Sequence, residues 1–262
     1  MPISKTAFTV ALVGADGAGK STIGRRLAAT LPLPVTYLYM GDNPAAATDT
    51  LPTTRLLRAL RRARGARPAP AGGPPDPTRR AAAAAARRNA GTLARAAASA
   101  RAGVRLANRL AEEWYRQFIA WRHLRRGRVV LFDRHFFADY YAHDIAPADV
   151  AGGGDGARPL SERIHGLVLA RLYPRPDLVV CLDAPAEVLF ARKGEGTVES
   201  LERRRREYFA MRDLVTHFVV VDASRPEDEV ASDVSALVVD FYRARAGLTG
   251  AAGAAAPASA TS

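Results

Sequence analysis

The sequence predicts an α/β fold, a parallel sheet with helices on both faces. Three observations predict it. Five short runs, at residues 6–13, 35–39, 128–133, 178–183 and 218–222, are rich in Val, Leu and aromatic residues, and most are apolar throughout rather than alternating. Strands of that kind are buried on both faces, as in parallel sheets covered by helices. Helix-like segments separate the runs, the order expected when crossover helices link parallel strands. Finally, residues 14–21 read Gly-Ala-Asp-Gly-Ala-Gly-Lys-Ser, between the first run and a helix. This is G-x-x-x-x-G-K-[ST] in strand–loop–helix context, the phosphate-binding P-loop.

The elements follow in order. After the first strand and its loop, a helix is expected over about 19–29, then the second strand at 35–39. Residues 41–54 carry Gly, Asn, Pro and Thr and read as a loop, followed by a short basic helix at 55–64. Five prolines and three glycines in 65–78 read as an exposed linker. A long helix is expected over about 78–126, with an apolar stripe of Val104, Ala107, Ala111, Trp114, Phe118 and Trp121 at spacings of three and four, which predicts a face packed on the sheet. The third strand ends in Asp133-Arg134, and the segment to residue 145 is aromatic and polar. Residues 151–156 hold four glycines and are expected to be mobile. Helices are then expected over about 159–172, from about 185, over 198–214 with Leu201, Tyr208, Met211 and Val215 buried, and over 226–246. One domain is expected over 1–247, with a basic Ala/Arg-rich helical insertion at about 55–127 and a disordered tail over 248–262.

The formal charge of +12 is unevenly placed: residues 55–128 hold 19 Arg against Asp76, Glu112 and Glu113. Such a stretch can attract nucleic acid, a membrane surface or an acidic substrate, but an arginine-rich solvated face is the simpler reading. Lysine occurs three times, at Lys5, Lys20 and Lys193. Against so strong a preference for arginine, a lysine inside the P-loop carries weight. The one cysteine, Cys181, lies in an apolar strand and excludes an internal disulfide, and no Cys/His cluster suggests zinc. No apolar run approaches the roughly 20 residues of a membrane span, and no cleavable leader precedes the P-loop. The expected location is cytoplasmic.

The chemistry follows from the loop. Gly14, Asp16, Gly17, Ala18, Gly19, Lys20, Ser21 and Thr22 form the phosphate cradle. Glycines let successive N–H groups turn toward phosphate oxygens, and the helix adds its positive end. Lys20 is the candidate partner of the β- and γ-phosphates, and Ser21 a ligand of Mg²⁺. Asp133, at the carboxyl end of a strand in an open parallel sheet, belongs near that metal. It holds a metal-bound water or acts as a base toward a hydroxyl acceptor, and Arg134 clamps a phosphate. Asp16 is unfavourable beside phosphates unless it faces elsewhere, toward the acceptor. Arg192-Lys193, Gly194-Glu195-Gly196 and Glu202 with Arg203 to Arg206 form a basic, glycine-hinged segment of the kind that closes over phosphates. Four consecutive arginines face all round a helix, so most of them read as solvated.

These residues resemble the thymidylate kinase-like family of P-loop nucleoside and nucleotide kinases. The resemblance rests on Gly14 to Thr22, on Val-Val-Leu-Phe-Asp-Arg at 129–134, on Pro-Asp-Leu-Val-Val-Cys-Leu-Asp-Ala-Pro-Ala-Glu-Val at 176–188 leading to Arg192, and on Val-Asp-Ala-Ser at 221–224, in family order over about half the chain. It implies a three-layer fold with sheet order 2-3-1-4-5 and an ATP-dependent kinase using ATP and Mg²⁺. It places Asp16 toward the acceptor, Arg134 toward the phosphates and Arg192 near adenine or the phosphates. The catalytic candidates are therefore Lys20, Asp16, Asp133, Arg134 and Arg192. The chain departs from the family pattern on the acceptor side, at Met40-Gly41-Asp42-Asn43-Pro44, at His135-Phe136-Phe137, in the basic insertion and in the short lid Arg-Lys-Gly-Glu-Gly. A nucleoside monophosphate, a sugar or another hydroxyl acceptor all stay open. The expected partners are ATP and a small-molecule phosphoryl acceptor, with a homodimer as a further candidate. An NTP-dependent protein using its basic helix on nucleic acid or membrane is the rival reading.

Overall fold

Each apolar run contains a sheet strand, the first starting at Thr9 and not at residue 6. In a computed structural model of the protein, residues 4–41, 50–63, 91–140 and 160–248 are described. The strands are β1 (Thr9–Val13), β2 (Val35–Tyr39), β3 (Val129–Asp133), β4 (Leu178–Asp183) and β5 (Phe218–Asp222). All pair in parallel in the order β2-β3-β1-β4-β5, as expected. The linker at 65–78, residues 78–90 of the expected long helix, the glycine-rich stretch at 151–156 and the tail from 249 lie outside the described residues.

Alternate side chains of each strand enter two separate cores, which is why the runs are apolar throughout. Val10, Leu12, Val129, Leu131, Val180 and Leu182 pack on one face, with Ile23 and Leu27 of helix α1 (Lys20–Thr30) and Val230, Val234 and Val238 of α8 (Glu227–Ala246). Ala11, Val13, Val130, Phe132, Val179 and Cys181 pack on the other, under Phe136 and Phe137 of the short helix α4 (Phe136–Tyr140) and Leu169 of α5 (Leu160–Arg171). Burial in this second core pushes the Cys181 thiol up to about 12.

Helix α8 is framed by charge. Glu227, Asp228 and Glu229 occupy its first turn and Arg243 and Arg245 its last, both favourable to the helix dipole, and left-handed Gly247 ends it. Helix α6 (Ala186–Lys193) ends at left-handed Gly194. Helix α7 (Val198–Phe209) opens on a reciprocal cap in which Thr197 Oγ1 accepts from the Ser200 N–H at 3.2 Å and Ser200 Oγ accepts from the Thr197 N–H at 2.9 Å. It stops at Phe209, short of the expected 214, where a single 3₁₀ turn (Arg212–Leu214) takes over. Leu201, Tyr208 and Met211 are buried there, as their spacing predicts, whereas Val215 is only partly buried.

The basic helix α2 (Pro52–Ala63) starts earlier than expected, with proline at the first helical position, where a missing N–H costs nothing. The described part of the long helix, α3 (Thr92–Leu124), corrects the sequence reading. The apolar stripe does not face the sheet: Val104 is 71% exposed, Phe118 50%, and Trp114 and Trp121 40% each. Glu112, Glu113, Arg116, Gln117 and Ala120 are buried instead. Partners waiting inside explain the inversion. Glu113 Oε1 lies 2.8 Å from His165 Nε2 of α5, Arg116 Nη1 donates to the Gly41 carbonyl at 2.7 Å, and Glu112 accepts from the Leu51 N–H at 3.2 Å. A polar face can be buried where partners meet it, although Glu113 Oε2 and Gln117 Oε1 have none among the described residues, and periodicity of apolar residues cannot see such a face.

The two faces of α3 make opposite predictions for mutation. Ala120→Leu, on the wholly buried side, is expected to lose about 1–3 kcal/mol by overpacking. Val104→Ser, in the expected but exposed stripe, is expected to change stability by less than about 0.5 kcal/mol. Urea unfolding followed by circular dichroism checks both.

Candidate active site

The carboxyl ends of β1 and β3 carry the site. Beyond β1 the chain turns at Gly14, with φ 140°, where a Cβ would stand 2.2 Å from the Leu182 carbonyl oxygen. At Gly17, with φ 90°, it would stand 2.5 Å from the Leu189 carbonyl oxygen. Both the backbone conformation and the close approach require glycine. Helix α1 then opens at Lys20 behind a left-handed Gly19, with no side-chain cap and no acid in its first turn. Its first N–H groups and its dipole suit an anion.

Lys20 folds back over the loop. Its Nζ donates to the carbonyl oxygens of Gly14 at 2.7 Å and Ala15 at 2.8 Å. Burial and the nearby Arg134 charge draw its pKa down to about 8, against the pull of Asp16, Asp133 and Asp139. The next residue, Ser21, donates to Asp133 Oδ2 at 2.5 Å, and Tyr37 donates to the same oxygen at 2.6 Å. Burial and that bond raise the Tyr37 phenol above its ordinary pKa. Asp133 is fully buried, and its Oδ1 has no hydrogen-bond partner among the described residues. A serine hydroxyl beside a carboxylate with one uncommitted oxygen is a hard-oxygen donor set. It fits Mg²⁺, which takes few protein oxygens and fills its octahedron with water and phosphate.

Arg134 leaves β3 with a left-handed backbone, φ 69°, its N–H donating to the Leu12 carbonyl at 3.0 Å. Its guanidinium bonds Asp16 Oδ1 at 2.5 Å and lies 4.0 Å from Asp139 Oδ2. Lys193 reaches the same Asp16 oxygen at 3.6 Å and Glu195 at 2.8 Å. Burial alone would raise the Asp16 carboxyl, but Arg134, Lys20 and Lys193 outweigh it and hold the group well below the usual carboxylate range. Lys20, Ser21, Asp16, Asp133 and Arg134 are thus brought together. Arg192 is not with them. It donates to the carbonyls of Ala223 at 2.6 Å and Ser224 at 3.1 Å, on the wall of a cavity of about 250 Å³ whose lining includes Gly17, Ala18, Gly19, Thr22 and Ile23.

No family model matches the chain. Among curated proteins it is similar to a probable thymidylate kinase of Pyrobaculum calidifontis, 28% identical over 87% of this chain and 94% of the relative. It is also similar to a probable thymidylate kinase of Pyrobaculum aerophilum, 29% identical over 89% of this chain and 97% of that protein. A thymidylate kinase of Xanthomonas oryzae pv. oryzae is 29% identical over 88% of this chain and 82% of its own length. These similarities, at 28–29% identity over most of the chain, support a thymidylate kinase-like family. The chain is a phosphotransferase, a kinase.

Several residues of this kinase escape sequence reasoning. Tyr37 looks like one more strand aromatic, yet its hydroxyl bonds Asp133. Arg205 holds Asp183 with two bonds at 2.7 Å, and Arg204 turns inward to Glu207 at 3.0 Å, whereas Arg203 and Arg206 make no such inward bond among the described contacts. A run of arginines does not reveal which members face inward. Asp139 left a faint signal, a single acid among Phe136, Phe137 and Tyr140.

The lowered Lys20 pKa sets a pH dependence. Phosphate binding needs the ammonium, so the affinity for an ATP analogue is expected to weaken as pH rises through about 8. Lys20→Arg, charged throughout, is expected to lose that slope while binding more weakly overall. Calorimetric titration from neutral pH to about two units above it checks both.

Proposed function

We propose that the protein transfers the γ-phosphate of ATP to a nucleoside monophosphate, as a cytoplasmic, single-domain kinase spanning residues 1–247 with the stretch 55–127 inserted on its acceptor side. The observation that carries this reading is the joining of Lys20, Ser21 and Asp133 to the Asp16–Arg134 pair at one end of the sheet. The names of the relatives make thymidine monophosphate the first acceptor to test.

Each residue has a task on this reading. The N–H groups of the loop and the ammonium of Lys20 bind the phosphates. Ser21 through its hydroxyl, and Asp133 through a bound water, would hold Mg²⁺, which when bound would neutralise phosphate charge. Arg134, released in part from Asp16, neutralises charge developing on the transferred group. Arg192 and Thr22 border the cavity that suits the adenosine portion of the donor. A phosphate acceptor is already nucleophilic and needs no base. The uncommitted Oδ1 of Asp133 favours one second reading, in which a hydroxyl acceptor such as a sugar gives its proton to this carboxylate.

The test is ADP release with a panel of nucleoside monophosphates, nucleosides and sugars. Transfer to a monophosphate that disappears in Lys20→Ala supports the proposal, and activity unchanged in that variant refutes the donor site. Release stimulated by DNA, RNA or anionic vesicles, with no phosphorylated small molecule, favours the NTP-dependent binding protein. Asp133→Asn separates the acceptors: a loss of turnover with metal affinity retained marks a base, whereas weakened Mg²⁺ dependence marks a metal-water ligand.

The exposed aromatic face of α3 suits a homodimer. Phe118 and Trp121 stack at 6.0 Å, half out of water, on a helix whose other face is already filled. Aromatic residues are enriched in interfaces, and a two-fold contact sets one patch against its own copy. Sedimentation velocity is expected to give a dimer for the wild type and a monomer for Phe118→Arg, and a monomeric wild type overturns the assignment.

A further inference from the structure

Asp139 belongs neither to the P-loop nor to the Asp133-Arg134 pair, yet two arginines of the site converge on it. It sits on α4, 6% exposed, with its N–H donating to the His135 carbonyl at 2.9 Å. Its Oδ1 accepts from the Tyr208 hydroxyl at 2.7 Å and has Arg204 Nη2 at 3.5 Å, and its Oδ2 lies 4.0 Å from Arg134 Nη1. Arg134 in turn bonds Asp16, which Lys193 approaches at 3.6 Å.

Charge therefore alternates without a break through Lys193, Asp16, Arg134, Asp139, Arg204 and Glu207. The path leaves the end of α6, crosses the P-loop, β3 and α4, and returns on α7. Helices α6 and α7 are joined through Gly194 and Gly196, both left-handed, with φ 65° and 80°. The Arg134 and Arg204 side chains are mostly buried, at 22% and 18% exposure. Charges so placed need partners, because an unpaired buried charge is costly. Asp139 is the carboxylate they share, and Tyr208 fixes its orientation.

We propose that Asp139 is a positioning residue for phosphoryl transfer: through Arg204 and Tyr208 it ties Arg134 to helix α7, so that Arg134 is aligned only while α7 is docked. What Arg134 acts on rests on the kinase reading above, whereas the tie between α4 and α7 does not. Without the Asp139 charge, Arg134 has only Asp16 to face and swings toward the P-loop, and Arg204 has only Glu207 on its own helix. The docking of α7 and the aim of Arg134 then become independent.

Asp139→Asn keeps the shape of the side chain and an acceptor for Tyr208 while removing the charge. With MgATP and thymidine monophosphate, kcat per active site is expected to fall about ten- to hundredfold, the scale of a misplaced group, with KM for MgATP changed by less than about twofold. Hydrogen exchange of α7 amides in the full chain bound to the non-hydrolysable analogue MgAMP-PNP is expected to quicken. Adding Arg204→Gln to Asp139→Asn is expected to lower kcat no further than the worse single change, because both cut the same link. A lowered melting temperature with kcat per active site and α7 exchange unchanged reduces the contact to a structural ion pair and overturns the proposal, as do losses that multiply independently. If Asp139→Asn does not fold, Tyr208→Phe removes one hydroxyl from the same link: quicker α7 exchange supports the proposal and unchanged exchange overturns it. If the wild type transfers phosphate to no acceptor, the proposed function fails, and α7 exchange with MgAMP-PNP decides the link by itself.

Discussion

Leu12 and Asp133 stand opposite each other in the sheet, and the rest of the site depends on that register. Leu12 lies two residues before the first P-loop glycine, and its carbonyl accepts the Arg134 N–H at 3.0 Å. Parallel pairing therefore delivers the loop and the Asp-Arg dipeptide to one edge together. Because side chains alternate along a strand, a slip of one residue would send Asp133 into the opposite core. On the other flank, β4 brings the Leu182 carbonyl so close to Gly14 that no Cβ fits between them. The phosphate loop is thus shaped by both neighbours of β1, and its geometry belongs to the sheet as much as to its own glycines.

What was legible in the sequence follows from how local each signal is. Five strands, their parallel arrangement and the P-loop are carried by short contiguous stretches. The apolar run that begins at Leu178 and ends at Asp183 is one of them, and the observed strand has the same limits. The side-chain contacts at and around the site were less legible because they join residues far apart in the chain. Glu113 meets His165 across 52 positions, Asp139 meets Tyr208 across 69, and Tyr37 meets Asp133 across 96. No spacing rule reaches so far. The inverted face of α3 fails for a related reason: apolar periodicity finds the buried side of a helix only when burial is apolar, and here the inward side is Glu112, Glu113, Arg116 and Gln117.

The two parts of the site differ in character. The P-loop is built from backbone, with glycines, N–H groups and a helix start. The group around Asp16, Arg134 and Asp139 is built from side chains, whose charges are paired with one another. Backbone geometry resists substitution, so the P-loop is the part that a motif can capture. Paired side chains can be exchanged as sets, so they are written in combinations rather than in a pattern.

The bonds from Lys20 to the Gly14 and Ala15 carbonyls have one more consequence. N–H dipoles that converge on one point repel each other, and a loop shaped around them is inclined to relax. Here the lysine acts as an internal brace that holds the curl of the loop from within. Nucleotide binding then exchanges one set of hydrogen bonds for another instead of creating a new set. The shape of the loop is then set before a phosphate arrives, so less of the binding energy goes into ordering it.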